Sequence, residues 1–156
     1  MVLVLCIGDL HVPHRAQDMP AKFKELLKPG KVDHILCCGN LCSRSLLDYL
    51  RGICADVKLV AGDFDDHDAP EQLVVTIGDI RAVMYGERLQ INPGSATGAY
   101  SALTPDAKPS FVLMDIDGAK ARWACLPATV YVYQLVDGAV KVEKIDYTKP
   151  GAPPAL

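Results

Sequence analysis

The chain has 156 residues, of which half are hydrophobic and 22% are charged, and its formal net charge at pH 7 is −3. This length predicts a single domain with a core large enough to fold without disulfides or metals. The slightly acidic balance excludes a basic surface for nucleic acid, and no apolar run is long enough to span a membrane.

The chain begins with "MVLVLCIGDL", which is apolar but lacks the charged start and the length of a signal peptide. We therefore expect a buried first strand and a cytoplasmic protein. Without secretion, disulfides are not expected. The segment "CCGNLC" also lacks the spacing of a structural zinc site, so we expect free thiols at all six cysteines, which are Cys6, Cys37, Cys38, Cys42, Cys54 and Cys125.

The front half of the chain alternates strands and helices. Strands are predicted at "VLVLCI", "KVDHILCCG" and "DVKLVAGD", where apolar residues follow one another as in a parallel sheet that is covered on both faces. The segment "PAKFKELLKPG" predicts a helix that begins with Pro20 and ends at Pro29 and Gly30. A second helix is predicted after Ser43, which can cap it, with Gly52 at its end. This β-α-β-α-β order implies right-handed parallel crossovers.

The back half, after Asp68, predicts antiparallel strands. They are "EQLVVTIGDIRAVM", "SFVLMDIDG" and "ATVYVYQLVDGAVKVEKIDY", with turns at Gly78–Asp79, Asp117–Gly118 and Asp137–Gly138. We therefore predict an α/β fold in which a β-α-β-α-β front is joined to an antiparallel β-hairpin back. The domain is expected to span residues 1–148, followed by a disordered Pro/Gly-rich tail at 149–156.

Polar side chains follow each of the three front strands. Asp9 and His11 follow the first strand, Asn40 the second and Asp63 the third. Ligands collect beyond the carboxyl ends of parallel strands, and this mixture of oxygen and nitrogen donors suits Mn²⁺, Zn²⁺ or Fe²⁺. Each residue taken alone could simply serve a turn, but the threefold repetition of strand, glycine and Asp or Asn favours a metal site. His67 is a weaker candidate.

The blocks "GDLHVPH", "GN" and "GDFD" resemble, in order and context, the metal-binding blocks of calcineurin-like metallophosphoesterases. The segments "HILCCGNLC", "INPGSATGAYSAL" and "VYVYQLVDGAVKVEKIDY" extend the resemblance over nearly the whole chain, toward the branch that forms the small subunit of retromer, an endosomal cargo-sorting complex. The resemblance implies a sandwich of two β-sheets flanked by helices. It also implies metal-binding positions at Asp9, His11, Asn40 and Asp63.

Two departures from the family pattern bear on catalysis. Active members carry a Gly-Asn-His-Asp block whose histidine assists the leaving group, whereas this chain places Phe64 at that position. Phenylalanine cannot donate a proton, so no catalytic residue is assigned. The neutral amide of Asn40 also replaces a bridging carboxylate and weakens the hold on two adjacent cations. We therefore expect any Zn²⁺ or Mn²⁺ to be weakly bound, vestigial and not required.

Further histidine blocks of the family precede its "NPGS" segment, but no histidine follows His67 in this chain. A strand-helix-strand segment is thus absent near residues 80–85. Either the sequence as given omits it or the protein has lost it, and the exposed sheet edges that loss would create favour omission. The segment "GAKARWACLPA" resembles a small insertion, and its Trp123 is expected to fold onto the β-layer or to contact a partner.

The resemblance implies a non-catalytic scaffold. Such a subunit docks on the large α-solenoid subunit of retromer through its pocket face and recruits regulatory proteins through an apolar patch on the opposite side. The matching patch positions are Leu26, Leu27, Leu113, Tyr131, Tyr133 and Val142. Strand alternation independently places Tyr131 and Tyr133 on one face. Membrane contact would be indirect, through the complex, which predicts a protein peripheral to endosomal membranes. The alternative is a metal-dependent phosphodiesterase or phosphatase.

Overall fold

The computed structural model describes residues 1–66, 68–78, 80–85, 92–100, 105–116 and 128–147. Eight strands and two helices follow one another in this part of the chain. They are β1 (Val2–Ile7), α1 (Ala21–Leu26), β2 (His34–Cys37), α2 (Arg44–Ile53), β3 (Val57–Leu59), β4 (Gln72–Ile77), β5 (Ile80–Tyr85), β6 (Ser110–Ile116), β7 (Ala128–Val136) and β8 (Ala139–Tyr147). The predicted α/β class, with its mixed front and antiparallel back, is confirmed.

The strands form a six-stranded sheet in the order β3-β2-β1-β6-β7-β8 and a separate two-stranded sheet of β4 and β5. β1 pairs in parallel with β2, and β2 with β3, as the front of the chain predicts. β6 then joins the free edge of β1 in antiparallel orientation, with Leu113 opposite Leu5. The large sheet is therefore parallel on one side of β1 and antiparallel on the other.

Two of the predicted hairpin turns lie wholly or partly within the described residues. Asp137 (φ 50°) and Gly138 (φ 73°) are both left-handed, as a type I′ turn between β7 and β8 requires. Gly78 is also left-handed, and β4 and β5 pair on either side of it, with Ile77 opposite Ile80. Asp79, the Asp117–Gly118 turn, Trp123 and the tail at 149–156 lie outside the described residues.

The ends of the second helix differ from the prediction. Ser43 precedes α2, but its side chain makes no cap hydrogen bond and instead lies 2.7 Å from the hydroxyl of Ser45. Gly52 does not end the helix, which continues to Ile53, with Cys54 in an extended conformation after it. The buried face of α2 explains this ending, because Ile53 completes a buried set with Leu46, Leu47 and Leu50.

Both faces of the six-stranded sheet are covered by apolar side chains. On the helix side, Leu5 of β1 and Phe111 of β6 share a buried cluster with Phe23 of α1. On the hairpin side, Val4 of β1 packs in a second buried cluster with Met84 of β5. This alternation along the strands is the reason that β1 reads as a continuous apolar run.

The described cysteines are free thiols, as expected. Cys6, Cys37 and Cys38 are buried in or directly after the central strands, and burial raises the pKa of all three thiols, that of Cys38 to about 12. These thiols therefore stay protonated and act as small apolar side chains. Within the described ranges, neither helix has the length and apolarity needed to cross a membrane.

Candidate functional site

The candidate pocket lies beyond the carboxyl ends of β1 and β2, where two loops bind each other through their backbones. Asp9 N–H donates to Gly39 O at 3.1 Å, and His11 N–H donates to Asn40 O at 2.8 Å. Asp9, His11 and Asn40 all have left-handed φ angles, between 47° and 53°. Three neighbouring non-glycine residues in this conformation are unusual and signal a loop shaped for function.

Two glycines let the loop after β3 approach the loop after β2. A Cβ atom on Gly39 would lie 2.5 Å from Gly62 N, and one on Gly62 would lie 2.3 Å from Asn40 Oδ1. Neither distance is tolerable for a real side chain. The repeated glycine before each polar residue therefore serves close backbone contact, which brings the second and third strand ends together.

The structure brings together three of the four predicted metal-binding residues. Asn40 Nδ2 donates to Asp9 Oδ1 at 2.9 Å, and His11 Nε2 lies 3.8 Å from the same oxygen. His11 and Asn40 are buried. Asp63 instead lies exposed in the turn after β3, so its role as a ligand remains a prediction. The other candidate, His67, lies outside the described residues.

Asp65, which the sequence reasoning missed as a site residue, holds the pocket loops in place. Its carboxylate accepts hydrogen bonds from the backbone N–H groups of Asn40 at 2.6 Å, Cys42 at 2.8 Å and Gly62 at 3.0 Å. One carboxylate thus fixes the loops after β2 and β3 through charge-assisted bonds. The second aspartate of "GDFD" was the available signal, since it occupies the acidic position of the family block.

The environment of His11 lowers the pKa of its imidazole. Burial is the largest influence on its pKa and lowers it, Arg15 and His14 lower it further, and the carboxylates of Asp9 and Asp65 oppose this shift. Its Nδ1 atom lies 3.9 Å from Cys42 Sγ, on the ring edge away from Asp9. The imidazole is therefore a neutral group placed between a carboxylate and a thiol.

Phe64 forms an exposed rim beside the pocket. Its ring meets His11 edge to face at a centroid separation of 5.4 Å, and the guanidinium of Arg15 lies 4.7 Å from its centre. Arg15 also donates to the carbonyl of Tyr100 at 2.9 Å. Phe64 and Tyr100 remain 53% and 59% exposed. The arginine thus links the Phe64 ring, through a cation–π contact, to the backbone at Tyr100.

The segment "NPGSATGAY" forms hydrogen bonds to the loop that follows β1. Ser95 Oγ donates to the carbonyl of Asp9 at 2.7 Å, and Thr97 Oγ1 donates to that of Leu10 at 2.8 Å. Ser95 Oγ also accepts a hydrogen bond from Ala99 N–H at 2.8 Å. These bonds direct the hydroxyls of Ser95 and Thr97 to the protein backbone.

The donor atoms of the pocket do not fit the two-metal centre of an active phosphoesterase. Among the described residues, no group of three or more His, Cys, Asp or Glu side chains is arranged to hold a metal ion. Asn40 turns its Nδ2 to Asp9, while its Oδ1 accepts from Phe64 N–H at 3.2 Å, so both ends of the amide are already used. Among the residues that the structure describes, Asp9 and His11 are the neighbouring side chains with donor atoms for a cation, and two donors fall short of the four that a zinc site uses.

The predicted apolar patch lies on the helix side of the large sheet. Strand register places Leu113 opposite Tyr131 and Tyr133 opposite Val142, on the same face. Val142 is 49% exposed and Leu26 of α1 is 41% exposed. The prediction was wrong for Leu27, which is 4% exposed and belongs to the core rather than to a surface patch. Tyr133 is half-buried, stacked on Phe111 at a centroid separation of 4.7 Å.

Comparison with known proteins identifies relatives of this chain. Residues 2–90 match the family described as the calcineurin-like phosphoesterase superfamily domain. The chain is 38% identical to vacuolar protein sorting-associated protein 29 (Vps29) of Schizosaccharomyces pombe, in an alignment that covers 96% of this chain and 100% of the relative. That alignment is 193 residues long, so the relative carries residues that this chain of 156 lacks.

Solved structures give the same result. Vps29 of Cryptosporidium parvum superposes with a TM-score of 0.83 at 32% identity, covering 95% of this chain and 98% of that one. Wild-type Vps29 of Entamoeba histolytica, solved in complex with Zn²⁺, superposes with a TM-score of 0.79 at 34% identity, covering 93% and 99%. Sequence identity above 30% over nearly the whole of both chains indicates relatives, whereas a TM-score alone would indicate only a shared fold.

Proposed function

Since this chain belongs to the calcineurin-like phosphoesterase superfamily and, within it, to the Vps29 family, we propose that it is a non-catalytic scaffold subunit of the retromer cargo-sorting complex. One observation carries the proposal: the polar groups of the inherited pocket bind each other. Asn40 joins Asp9 to the backbone of Phe64, and Asp65 binds three backbone N–H groups. The polar groups of such a pocket already have hydrogen-bond partners within the protein.

Hydrolysis of a phosphoester at this pocket would need an activated water and an acid for the leaving group. Phe64 occupies the position of the family's histidine and offers neither proton nor lone pair. His11 is neutral, and the carboxylate that lies within 4.0 Å of it in the described part of the chain, Asp9, already accepts a hydrogen bond from Asn40. Each missing electrostatic or acid partner costs about 10²–10⁴-fold in rate. These losses favour the scaffold over the phosphodiesterase alternative.

The rim of the pocket supports docking of the large α-solenoid subunit. Phe64, Arg15 and Tyr100 are exposed at the pocket, with the Arg15 guanidinium over the Phe64 ring and bonded to the carbonyl of Tyr100, and Tyr and Arg are enriched among the residues that dominate binding energy at protein interfaces. The hydrogen-bonded loops beneath them lower the entropy that is lost on binding. In this proposal the loops once shaped for metals now hold a docking surface.

The apolar patch supports recruitment of regulatory proteins. Its exposed members, Val142 and Leu26, flank the half-buried Leu113, Tyr131 and Tyr133 on one face of the sheet. Val142 on β8 is three strands away from β1, whose following loop forms the pocket, so both surfaces can be occupied at once. The protein would then connect the solenoid to a regulator and would reach endosomal membranes only through the complex.

A divalent cation is not required for this role. Asp9 and His11 supply two donors, and the bonds of Asn40 and Asp65 hold the loops without a metal. Zn²⁺ or Mn²⁺ would bind weakly through these two side chains. We therefore expect binding of the purified large retromer subunit to be equal in EDTA and in Zn²⁺, whereas a tenfold loss in EDTA would contradict a metal-independent scaffold.

The decisive experiment compares catalysis and docking in the same protein. With excess Mn²⁺ or Zn²⁺, hydrolysis of bis-p-nitrophenyl phosphate should not exceed that of an Asp9→Ala/His11→Ala control. Phe64→Ala should weaken binding to the large solenoid subunit about tenfold, as expected for an interface anchor. Val74→Ala, which truncates another exposed apolar side chain on β4, serves as the matched control. Metal-dependent turnover that is lost in the double variant would establish the phosphodiesterase instead.

A further inference from the structure

The strand β8 forms one edge of the six-stranded sheet, and in the described part of the chain no further strand pairs with its outer side. It is nine residues long, whereas β3 at the other edge has three. Its pairing with β7 is one-to-one from Ala139 to Tyr147, and every residue from Lys141 to Asp146 is exposed. Natural sheets usually shorten, bulge or cover an edge, because an open edge pairs with other chains. This long, regular edge is therefore a candidate interaction surface.

Alternate residues of β8 direct their backbone groups away from β7. In an antiparallel pair, opposed residues alternate between those that exchange hydrogen bonds and those that do not. Leu135 of β7 lies opposite Val140 but donates its N–H to Pro109 O at 2.8 Å, directly before β6. Leu135 and Val140 are therefore a pair without mutual hydrogen bonds. By the same alternation, the N–H and C=O groups of Val140, Val142 and Lys144 face the open edge.

The hairpin-side face of this edge carries two opposite charges that lack a partner across the sheet. Lys141 lies opposite Gln134 of β7, and Glu143 lies opposite Val132, so neither faces a charged residue. Among the described residues, Lys141 and Glu143 also form no ion pair within 4.0 Å. The charges are separated by one residue, and a strand with this spacing can pair with a reversed copy of itself.

We propose that a second copy of this chain adds its own β8 to this edge in antiparallel orientation, with the Val142 residues of the two copies opposite each other. Lys141 of each copy then faces Glu143 of the other, and the twofold axis repeats this ion pair. The outward backbone groups match as well, because Val142 exchanges hydrogen bonds with its counterpart and Val140 with Lys144. The two sheets thereby continue into one sheet, with six strands from each copy.

Charge selects this register over its neighbours. Registers centred on Lys141, Glu143 or Lys144 would place identical charges directly opposite each other, which is destabilising. A register centred on Ile145 would oppose Lys144 to Asp146, but these two side chains already lie 3.4 Å apart within one chain. That register also overlaps a shorter stretch of strand. The register centred on Val142 therefore combines the longer overlap with two new ion pairs.

The size of the interface predicts a concentration-dependent dimer. One pair of strands buries less than the about 1,200 Å² at which stable complexes usually begin. We therefore expect a dissociation constant on the order of 10–100 µM. Sedimentation equilibrium of the full chain, between about 1 and 300 µM, measures the monomer and dimer populations on both sides of this value.

Charge reversal and charge exchange test the register. Lys141→Glu should weaken the dimer at least about tenfold, because both Lys–Glu pairs become pairs of like charge. Glu143→Lys should weaken it similarly. The double variant Lys141→Glu/Glu143→Lys exchanges the two charges and should restore the affinity to within about twofold of the original. Lys31→Glu, an exposed reversal outside the strands, controls for net charge and should change affinity less than about twofold.

Lys144→Pro tests the backbone hydrogen bonds separately. It removes an N–H that faces the open edge rather than β7, and edge strands accept proline in this orientation. We expect the variant to stay monomeric up to about 300 µM with an unchanged far-ultraviolet circular dichroism spectrum. If the proline prevents folding, the charge variants still decide the question, because they alter only exposed side chains.

Three results would overturn the proposal. A chain that is monomeric throughout the concentration range would show that the edge does not bind a second copy. A dimer that neither single reversal weakens would assign dimerisation to another surface. A double variant as weak as the single reversals would show that Lys141 and Glu143 are not opposed across the interface.

Discussion

Asp65 accepts hydrogen bonds from three backbone N–H groups that belong to the ends of two different strands. Two of these groups belong to Asn40 and Cys42, which adopt left-handed conformations that non-glycine residues avoid. The carboxylate thus offsets the cost of a strained loop.

Asp65→Ala should lower the free energy of unfolding by about 2–3 kcal/mol, because three partly buried donors lose a charged acceptor. Urea denaturation followed by circular dichroism measures the change. Asp66→Ala, which removes the adjacent exposed carboxylate, is the matched control and should shift stability by less than about 0.5 kcal/mol. Equal effects of the two substitutions would contradict an anchoring role for Asp65.

Residue identities in the pocket could be predicted only in part. The pattern of strand, glycine and polar residue correctly brought Asp9, His11 and Asn40 together, because parallel strands end at one edge of their sheet. It did not separate Asp63 from Asp65, which are two residues apart in one turn. Which of the two aspartates faces the pocket depends on how the loop after β3 approaches the loop after β2. That approach is set by the contact between Gly62 and Asn40, which are far apart in sequence.

At the scale of elements, β2 and β3 are also joined at the end of the sheet opposite the pocket. Asp56 lies 2.6 Å from Lys58 Nζ and 2.6 Å from His34 Nδ1. The hydrogen bond from Lys58 lowers the Asp56 pKa most, and that from His34 lowers it further. A lowered pKa means that this stabilisation is fully present above the ordinary aspartate value of 3.8 and is lost as the pH falls through the folded-state pKa.

Asp56→Asn should therefore reduce the dependence of stability on pH below about pH 4 while it lowers stability at pH 7. Urea midpoints measured between pH 2 and pH 7 test this expectation. Asp48→Asn removes an exposed carboxylate from α2 and controls for the loss of charge alone. If both variants keep the acid sensitivity of the original protein, the link between β2 and β3 is not its source.

The strand β8 provides a matched pair of variants for the apolar patch. Val142 and Ile145 are 49% and 52% exposed on the same strand, but an odd spacing places them on opposite faces. Val142→Asp should abolish capture of regulatory partners from a lysate while solenoid binding is retained. Ile145→Asp should affect neither interaction. Tyr133 is less suitable for this test, because its ring is stacked on Phe111 and substitution would disturb the core.

A patch variant that loses the solenoid and the regulator together would contradict two independent surfaces. The same holds if Ile145→Asp is as harmful as Val142→Asp, since the apolar face would then not matter. Circular dichroism of both variants shows whether they remain folded. Co-precipitation with the purified large subunit provides the second binding measurement.

At the scale of the whole molecule, the two sheets differ in their number of strands. Six strands form one sheet, whereas the described part of the other contains only β4 and β5. On the hairpin side, Val130 of β7 is buried but Ile145 of β8 is 52% exposed. The relative from S. pombe aligns over 193 residues. These facts support the prediction that a strand-helix-strand segment of the family belongs near residues 80–85 and would extend the smaller sheet.

We expect the protein purified from its natural source to be heavier than the 16.9 kDa of this chain, with the additional residues near residues 80–85. Intact mass spectrometry, followed by peptide mapping of this region, measures the difference directly. The added segment should contain the histidines that the family places there. A mass equal to that of the chain would instead establish that the segment was lost and that a two-stranded sheet is sufficient.

The sequence by itself determined the features that depend on neighbours along the chain. Apolar runs identified β1 and β2, turn residues such as Asp137 and Gly138 identified the β7–β8 hairpin, and a repeated motif identified the strand ends that converge on the pocket. These signals are local because side-chain alternation and left-handed turns are properties of a few consecutive residues.

Only the tertiary structure decided which distant segments meet. It placed β6 against β1, turned Leu27 into the core while Leu26 stayed exposed, and gave Asp65 rather than Asp63 the central position between two loops. Such contacts join residues that are far apart in sequence, and their selection depends on how whole layers pack rather than on the pattern within any one segment.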